Sequence, residues 1–230
     1  FGLRPTPNPG VDMTDASTVT DEVAELQKKQ QRFEIVAAVL LGLATVTIAW
    51  GSYQANLWGG MQDKALTESA RLSTDAASEY EEASSIISLD QTLFVEVVLQ
   101  LNQPGGDEDA ALETVDFITT NMSEQGEAAV NDWFDNDLDF PFTDAYYESF
   151  YSAGDETIQE SDAKFEEGSQ NNTTGDKYVL VSTILASVLF FAGISTVLHT
   201  DRVKRVLLGS AAVLWIGAAI YIATLPIASL

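Results

Sequence analysis

The chain has 230 residues, 46% of them hydrophobic, and 35 acidic side chains against 11 basic ones give a formal charge of -24. That balance excludes nucleic acid as a partner, because phosphate binding needs a basic patch; the lack of cysteine excludes disulfides, thiolate metal sites and cysteine nucleophiles. Like-sign charge on this scale is best screened in concentrated salt, and together with scarce lysine and many small Ala, Ser and Thr residues it points to a halophilic source.

Residues 1–12 are rich in Pro and Gly and show no apolar signal-peptide core, while Met13-Thr14-Asp15-Ala16 reads as a natural start. Thr20 is the expected N-cap of a polar helix with acids first and bases last, as the helix dipole favours. It leads directly into the first of three apolar runs, 35–50 with an extension to Trp58, 178–198 and 206–225. Crossing the roughly 30 Å hydrocarbon core takes about 20 apolar residues, so the runs read as three transmembrane helices over 34–58, 177–199 and 206–226. No charged residue or histidine interrupts the apolar runs themselves, which disfavours coupled transport.

Between the first two spans lies an acidic domain, 59–176, expected to be an extracytoplasmic antiparallel helical bundle, so the fold class is all-α. Met61, Ala65, Ser69, Leu72, Ala76, Tyr80, Ala83 and Ile87 form a helical stripe, with Asp90 as the cap of a fresh start and Pro104-Gly105-Gly106 as the stop. A second helix is expected from Asp107 to about Phe134, with Ala111, Leu112, Val115, Ile118, Met122, Ala129, Val130 and Trp133 inward. After a loop, Thr143 or Asp144 caps a third helix, and residues 168–175 read as a polar linker back to the membrane.

Orientation follows from the basic flanks, because short cytoplasmic segments collect Lys and Arg. Lys28, Lys29 and Arg32 precede span one, and Arg202, Lys204 and Arg205 fall in an expected loop over 200–205. Both flanks are placed inside, with 1–33 cytoplasmic, 59–176 outside and 227–230 a short external C-terminus. Asn121, Asn171 and Asn172 head glycan acceptor triplets on that outer side.

No catalytic, cofactor or metal site is expected. Asp135, Asp137 and Asp139 alternate as in a calcium loop, but Phe140 and Tyr146 stand where the pattern requires Gly and Glu. His199, the single histidine, sits at a span end, where an interfacial role is expected. Tyr146, Tyr147, Phe150 and Tyr151 are either a packed core or a ligand or interface cluster. Small-residue pairs at Ala38 and Gly42, Ser182 and Ala186, and Ala219 and Ala223 allow close helix approach.

The most distinctive string is Ala49-Trp50-Gly51-Ser52-Tyr53-Gln54-Ala55-Asn56-Leu57-Trp58-Gly59-Gly60-Met61-Gln62. Trp50, Tyr53, Gln54, Asn56, Trp58 and Gln62 mark it as a membrane-interface junction. It resembles the AW-x-S/G-YQA-x-x-W-x-G-x-Q signature of a family of uncharacterised prokaryotic, haloarchaeal-like membrane proteins with three predicted spans, and Tyr178-Val179-Leu180 followed by Ala186-Ser187-Val188-Leu189-Phe190-Phe191-Ala192-Gly193 is similar to that family's second span. The resemblance implies the architecture and assigns no residue a role. The expectation is therefore a non-enzymatic, multi-pass cell-membrane protein. Its partners are the lipid bilayer and either further copies of itself or a larger membrane complex, in which it serves as scaffold or accessory subunit. A sensory or ligand-binding module is the alternative, and an oligomeric channel lined by Thr45, Gln54 and Asn56 the second alternative.

Overall fold

The computed structural model describes the backbone of residues 13–229 apart from 106, 137 and 199, and the side chains of the same residues from 23 onward apart from 26. The expectations for residues 1–12, Asp137 and His199 lie outside the described residues. Among the described residues the helices in chain order are α1 (Met13–Leu101), α2 (Glu108–Thr119), α3 (Glu124–Asn136), α4 (Asp144–Val197) and α5 (Asp201–Thr224). There is no strand among the described residues. Helix α1 begins at Met13, so Thr20 lies inside it and is not its cap.

Among the described residues three helices, α1, α4 and α5, are long and apolar enough to cross a membrane. The chain divides into two compact units, one of Phe1–Gly60 with Asn171–Leu230 and one of Met61–Gln170. The first packs α1, α4 and α5 through Ala37, Leu40 and Ala44, through Val181, Leu185, Val188 and Ala192, and through Leu208, Ala211 and Ala218. Steps of three, four and seven place each set on one helix face. Alanine on α1 and α5 brings the backbones close, and at Gly51 a side chain would meet Ser182 Oγ at 3.0 Å. The outward faces are equally apolar, with Val46, Val197 and Val213 each at least 70% exposed. A helix that is apolar on all sides belongs in lipid or a core, so this unit has the composition of a multi-pass membrane protein. Ala38, Gly42, Ala186 and Ala223 fall on the exposed faces, whereas the helix contacts use Ala37, Ala44, Ala211 and Ala218.

The basic residues expected in a loop over 200–205 are helical. The connection is shorter than expected, and Arg202, Lys204 and Arg205 occupy the first turns of α5, with Lys204 buried. A Lys29–Asp201 ion pair of 3.1 Å brings the two basic flanks to one end of this unit.

In the second unit, rising positions on α1 meet falling positions on α4: Ser69 with Ser161, Tyr80 with Asp155, Gln91 with Tyr147. The two segments therefore run antiparallel. Ala65, Ser69, Leu72, Ala76, Ala83 and Ile87 are buried as the stripe required, while Met61 is exposed. Three local expectations are corrected here. Helix α1 runs unbroken through Asp90. The single helix expected over 107–134 is two, α2 and α3, because Ser123 caps a new start by accepting from Gly126 N at 2.9 Å. Asp107, expected as the first residue of that helix, is the N-cap of α2, its carboxylate accepting from Asp109 N. The linker expected at 168–175 is continuous helix within α4, because the small residue at Gly168 fits against Leu66 and that at Gly175 against Trp58. Charge divides as sharply as packing. Residues 61–170 hold 27 of the 35 acidic and three of the 11 basic residues, so this segment alone carries -24 and the rest of the chain is balanced.

Candidate functional site

The centre of the second unit is a buried carboxylate. Asp90 has no solvent exposure and sits among Ile87, Phe94 and Val97 at heptad spacing on α1. Its Oδ1 accepts from Ser123 N at 2.8 Å, and its Oδ2 accepts from Ser123 Oγ at 2.5 Å and from the Tyr146 hydroxyl at 2.7 Å. Burying a charge is tolerable only when its lone pairs are filled in this way. The carboxylate thus ties α1 to the start of α3 and to α4, and a side chain at Gly126 would overlap it. Burial, and then the bond to Asp90, hold the Tyr146 hydroxyl well above the ordinary tyrosine range. At Tyr80 the bond to Asp155, 2.6 Å, acts in the same direction.

The four expected aromatic residues do come together. Tyr146 meets Phe142 in a tilted contact at 4.7 Å and Phe150 and Tyr147 edge-on at 5.1 and 5.4 Å between ring centroids, and Tyr151 meets Tyr80 at 6.0 Å. Tyr146, with 5% exposure, is core, so this cluster is filled by its own rings. Open space lies beside it instead. Gln91, Phe94, Val95, Val98, Leu99, Phe140 and Phe142 line an apolar groove of about 410 Å³. Phe94 and Phe142 are its buried floor, and Val95, Leu99 and Phe140, at 57%, 57% and 47% exposure, are its lips. Edge-on contacts of Phe94 with Phe140 and Phe142 hold the floor in place. Sequence reasoning missed Asp90 as a buried anchor and missed the groove altogether. The signal for Asp90 was present, since 87, 90, 94 and 97 keep one helical period with a single polar member.

The junction residues part company in the membrane-type unit. Gln54 is fully buried, and its Oε1 accepts from Ala228 N at 2.8 Å. The Trp58 indole N–H and the Tyr178 hydroxyl both donate to the carbonyl of Pro226, at 3.2 and 3.0 Å. Residues 225–228 are therefore clasped against α1 and α4, with Leu225 and Ala228 buried. Trp50, Tyr53 and Asn56 are exposed, Trp50 and Tyr53 lying 6.0 Å apart between rings, and Gln62 is half-buried. Gln54 Nε2 has no hydrogen-bond partner among the described residues. Thr45 is exposed and bonds its own helix at Leu41 O, so it shares no face with the buried Gln54.

Asn121 and Asn172 are exposed, Asn121 donating to Phe117 O, whereas Asn171 is buried in α4. The hydroxyl of Ser123, third member of the first acceptor triplet, is committed to Asp90. Asp135 and Asp139 are exposed, and among the described residues no cluster of acidic or imidazole groups converges as a metal site. No family model matches the chain, and no curated protein or solved structure matches it.

Proposed function

We propose that this chain is a non-enzymatic, multi-pass membrane protein whose acidic helical unit docks other proteins, as an accessory subunit of a cell-envelope complex. The observation that carries the reading is the open apolar groove between α1 and the 140–142 segment, beside a core that takes up Trp133, Tyr146, Tyr147, Phe150 and Tyr151. Exposed apolar area of this kind outside the spans marks an interaction surface. The buried polar groups support the same reading, because Asp90, Ser123 and Tyr146 are saturated by one another and serve packing.

The acidic unit faces the extracytoplasmic side in this reading. The basic flanks of α1 and α5 are brought together by the Lys29–Asp201 pair, as one cytoplasmic end of the spans requires. Outward-facing Ala38 and Gly42 offer the close approach that self-association within the bilayer uses. The test is site-specific photocrosslinking in native membranes, with the crosslinker at exposed positions of the acidic unit away from the groove, such as Glu81, Asp116 and Phe165, and at Gly42. Discrete adducts of defined mass are expected from the acidic unit. Absence of any adduct from every position refutes the interaction reading.

A further inference from the structure

We infer that the groove floored by Phe94 and Phe142 receives a basic amphipathic segment of a partner protein, with bulky apolar side chains on one face and Lys or Arg at the flanks. The inference rests on the interaction reading above and names the chemistry of the partner. Val95 and Leu99 stand one helical turn apart as exposed apolar lips, with Phe140 the third. This is the layout into which an amphipathic helix lays its apolar face. A small apolar molecule fits less well, because ligand pockets bury most of their ligand and the three lips remain about half exposed or more.

Charge selects among protein partners. From residue 72 to residue 163 the chain has 23 acidic residues and not one Lys or Arg. Glu96 and Asp139, chain neighbours of the lips Val95 and Phe140, are both exposed. A second copy of this chain would bring a further -24 against that surface, and like charges across an interface suppress association. A cationic segment is instead steered toward it.

The test uses the full chain in phosphatidylcholine nanodiscs and a fluorescein-labelled 18-residue Leu/Lys amphipathic helix, with a Leu/Glu helix of identical apolar face as the control probe. Anisotropy on empty nanodiscs is subtracted. The Leu/Lys peptide is expected to bind, and the Leu/Glu peptide not to. Binding should weaken at least tenfold in V95S/L99S, whose altered side chains are exposed, and in E96K/D139K, but not in F165S, another exposed apolar site of the same unit. Far-UV circular dichroism checks that each variant keeps its helix content. Equal binding of the Leu/Lys peptide to V95S/L99S overturns the inference, as does equal binding of the Leu/Glu peptide. Self-association of the full chain that is lost in V95S/L99S overturns it too, by giving the groove to a second copy. Each of these failures leaves the photocrosslinking result standing, because its positions lie away from the groove.

Discussion

Tyr146→Phe removes one oxygen from the Asp90 centre and keeps the ring. The contacts with Phe142, Phe150 and Tyr147 survive, so little cavity is created. What is lost is a buried hydroxyl-to-carboxylate bond of 2.7 Å, while Ser123 keeps both of its bonds to Asp90. Hydrogen bonds to charged groups contribute roughly 1.5–3 kcal/mol, so about 2 kcal/mol is expected, equivalent to a roughly thirtyfold faster exchange of the protected amides of α3 and the start of α4. Hydrogen exchange by mass spectrometry reads this locally and needs no two-state assumption for the whole chain. The pH dependence sharpens the test. With the hydroxyl held above its ordinary range by burial and by Asp90, the folded form keeps its proton while the unfolded chain ionises near pH ~10. The contribution is complete below that pH and is lost as pH rises above it, by about 1.4 kcal/mol per pH unit. Tyr146→Phe should remove this part of the alkaline slope. A change of less than threefold in exchange, or an unaltered alkaline slope, would falsify the assignment of Asp90 and Tyr146 as the unit's central tie.

Other consequences follow from the same geometry. Gly126→Ala should gain up to about 1 kcal/mol of helix propensity yet lose more through overlap with the Asp90 carboxylate, which its three bonds hold in place. Gly42→Ala, with nothing within 4 Å, should be neutral or stabilising; thermal melts of both variants in detergent check the opposite signs. Gln54→Leu deletes the bond to Ala228 N and also removes a buried amide with no partner among the described residues. Exchange at residues 227–229 should rise about fivefold, the equivalent of ~1 kcal/mol, with the stability of the membrane-type unit almost unchanged. Lowering salt from about 1 M to about 0.1 M lengthens the screening distance from roughly 3 to roughly 10 Å. Exchange should therefore accelerate in residues 61–170, which carry the whole net charge, and stay constant in the balanced remainder.

Local pattern carried much of this protein. Apolar length predicted the three membrane-type helices, and the step of three and four predicted the buried face from Ala65 to Ile87. Pro104 after Leu101 predicted the end of α1, and Asp107 the start of α2. These depend on residues a few positions apart, which is the range over which backbone propensity and amphipathic period act. Polarity misled the reading where a polar residue had a distant partner. Asp90 looks like a cap and lies inside a helix, because Ser123 and Tyr146, 33 and 56 residues away, fill its lone pairs. Residues 168–175 look like a linker and remain helical, because Gly168 and Gly175 fit against Leu66 and Trp58.

The sequence by itself determined an all-helical chain, the number of membrane-type helices and the placing of the entire net charge in one segment. All three are properties of composition and short-range order. Tertiary structure decided which side chain of the junction faces inward, Gln54 rather than Tyr53, and clasped residues 225–228 onto it across 174 positions of sequence. It also decided that Tyr146 closes a core while Phe94, Phe140 and Phe142 frame an open groove. Contact across such separations depends on how helices meet in space, and no local periodicity encodes that meeting.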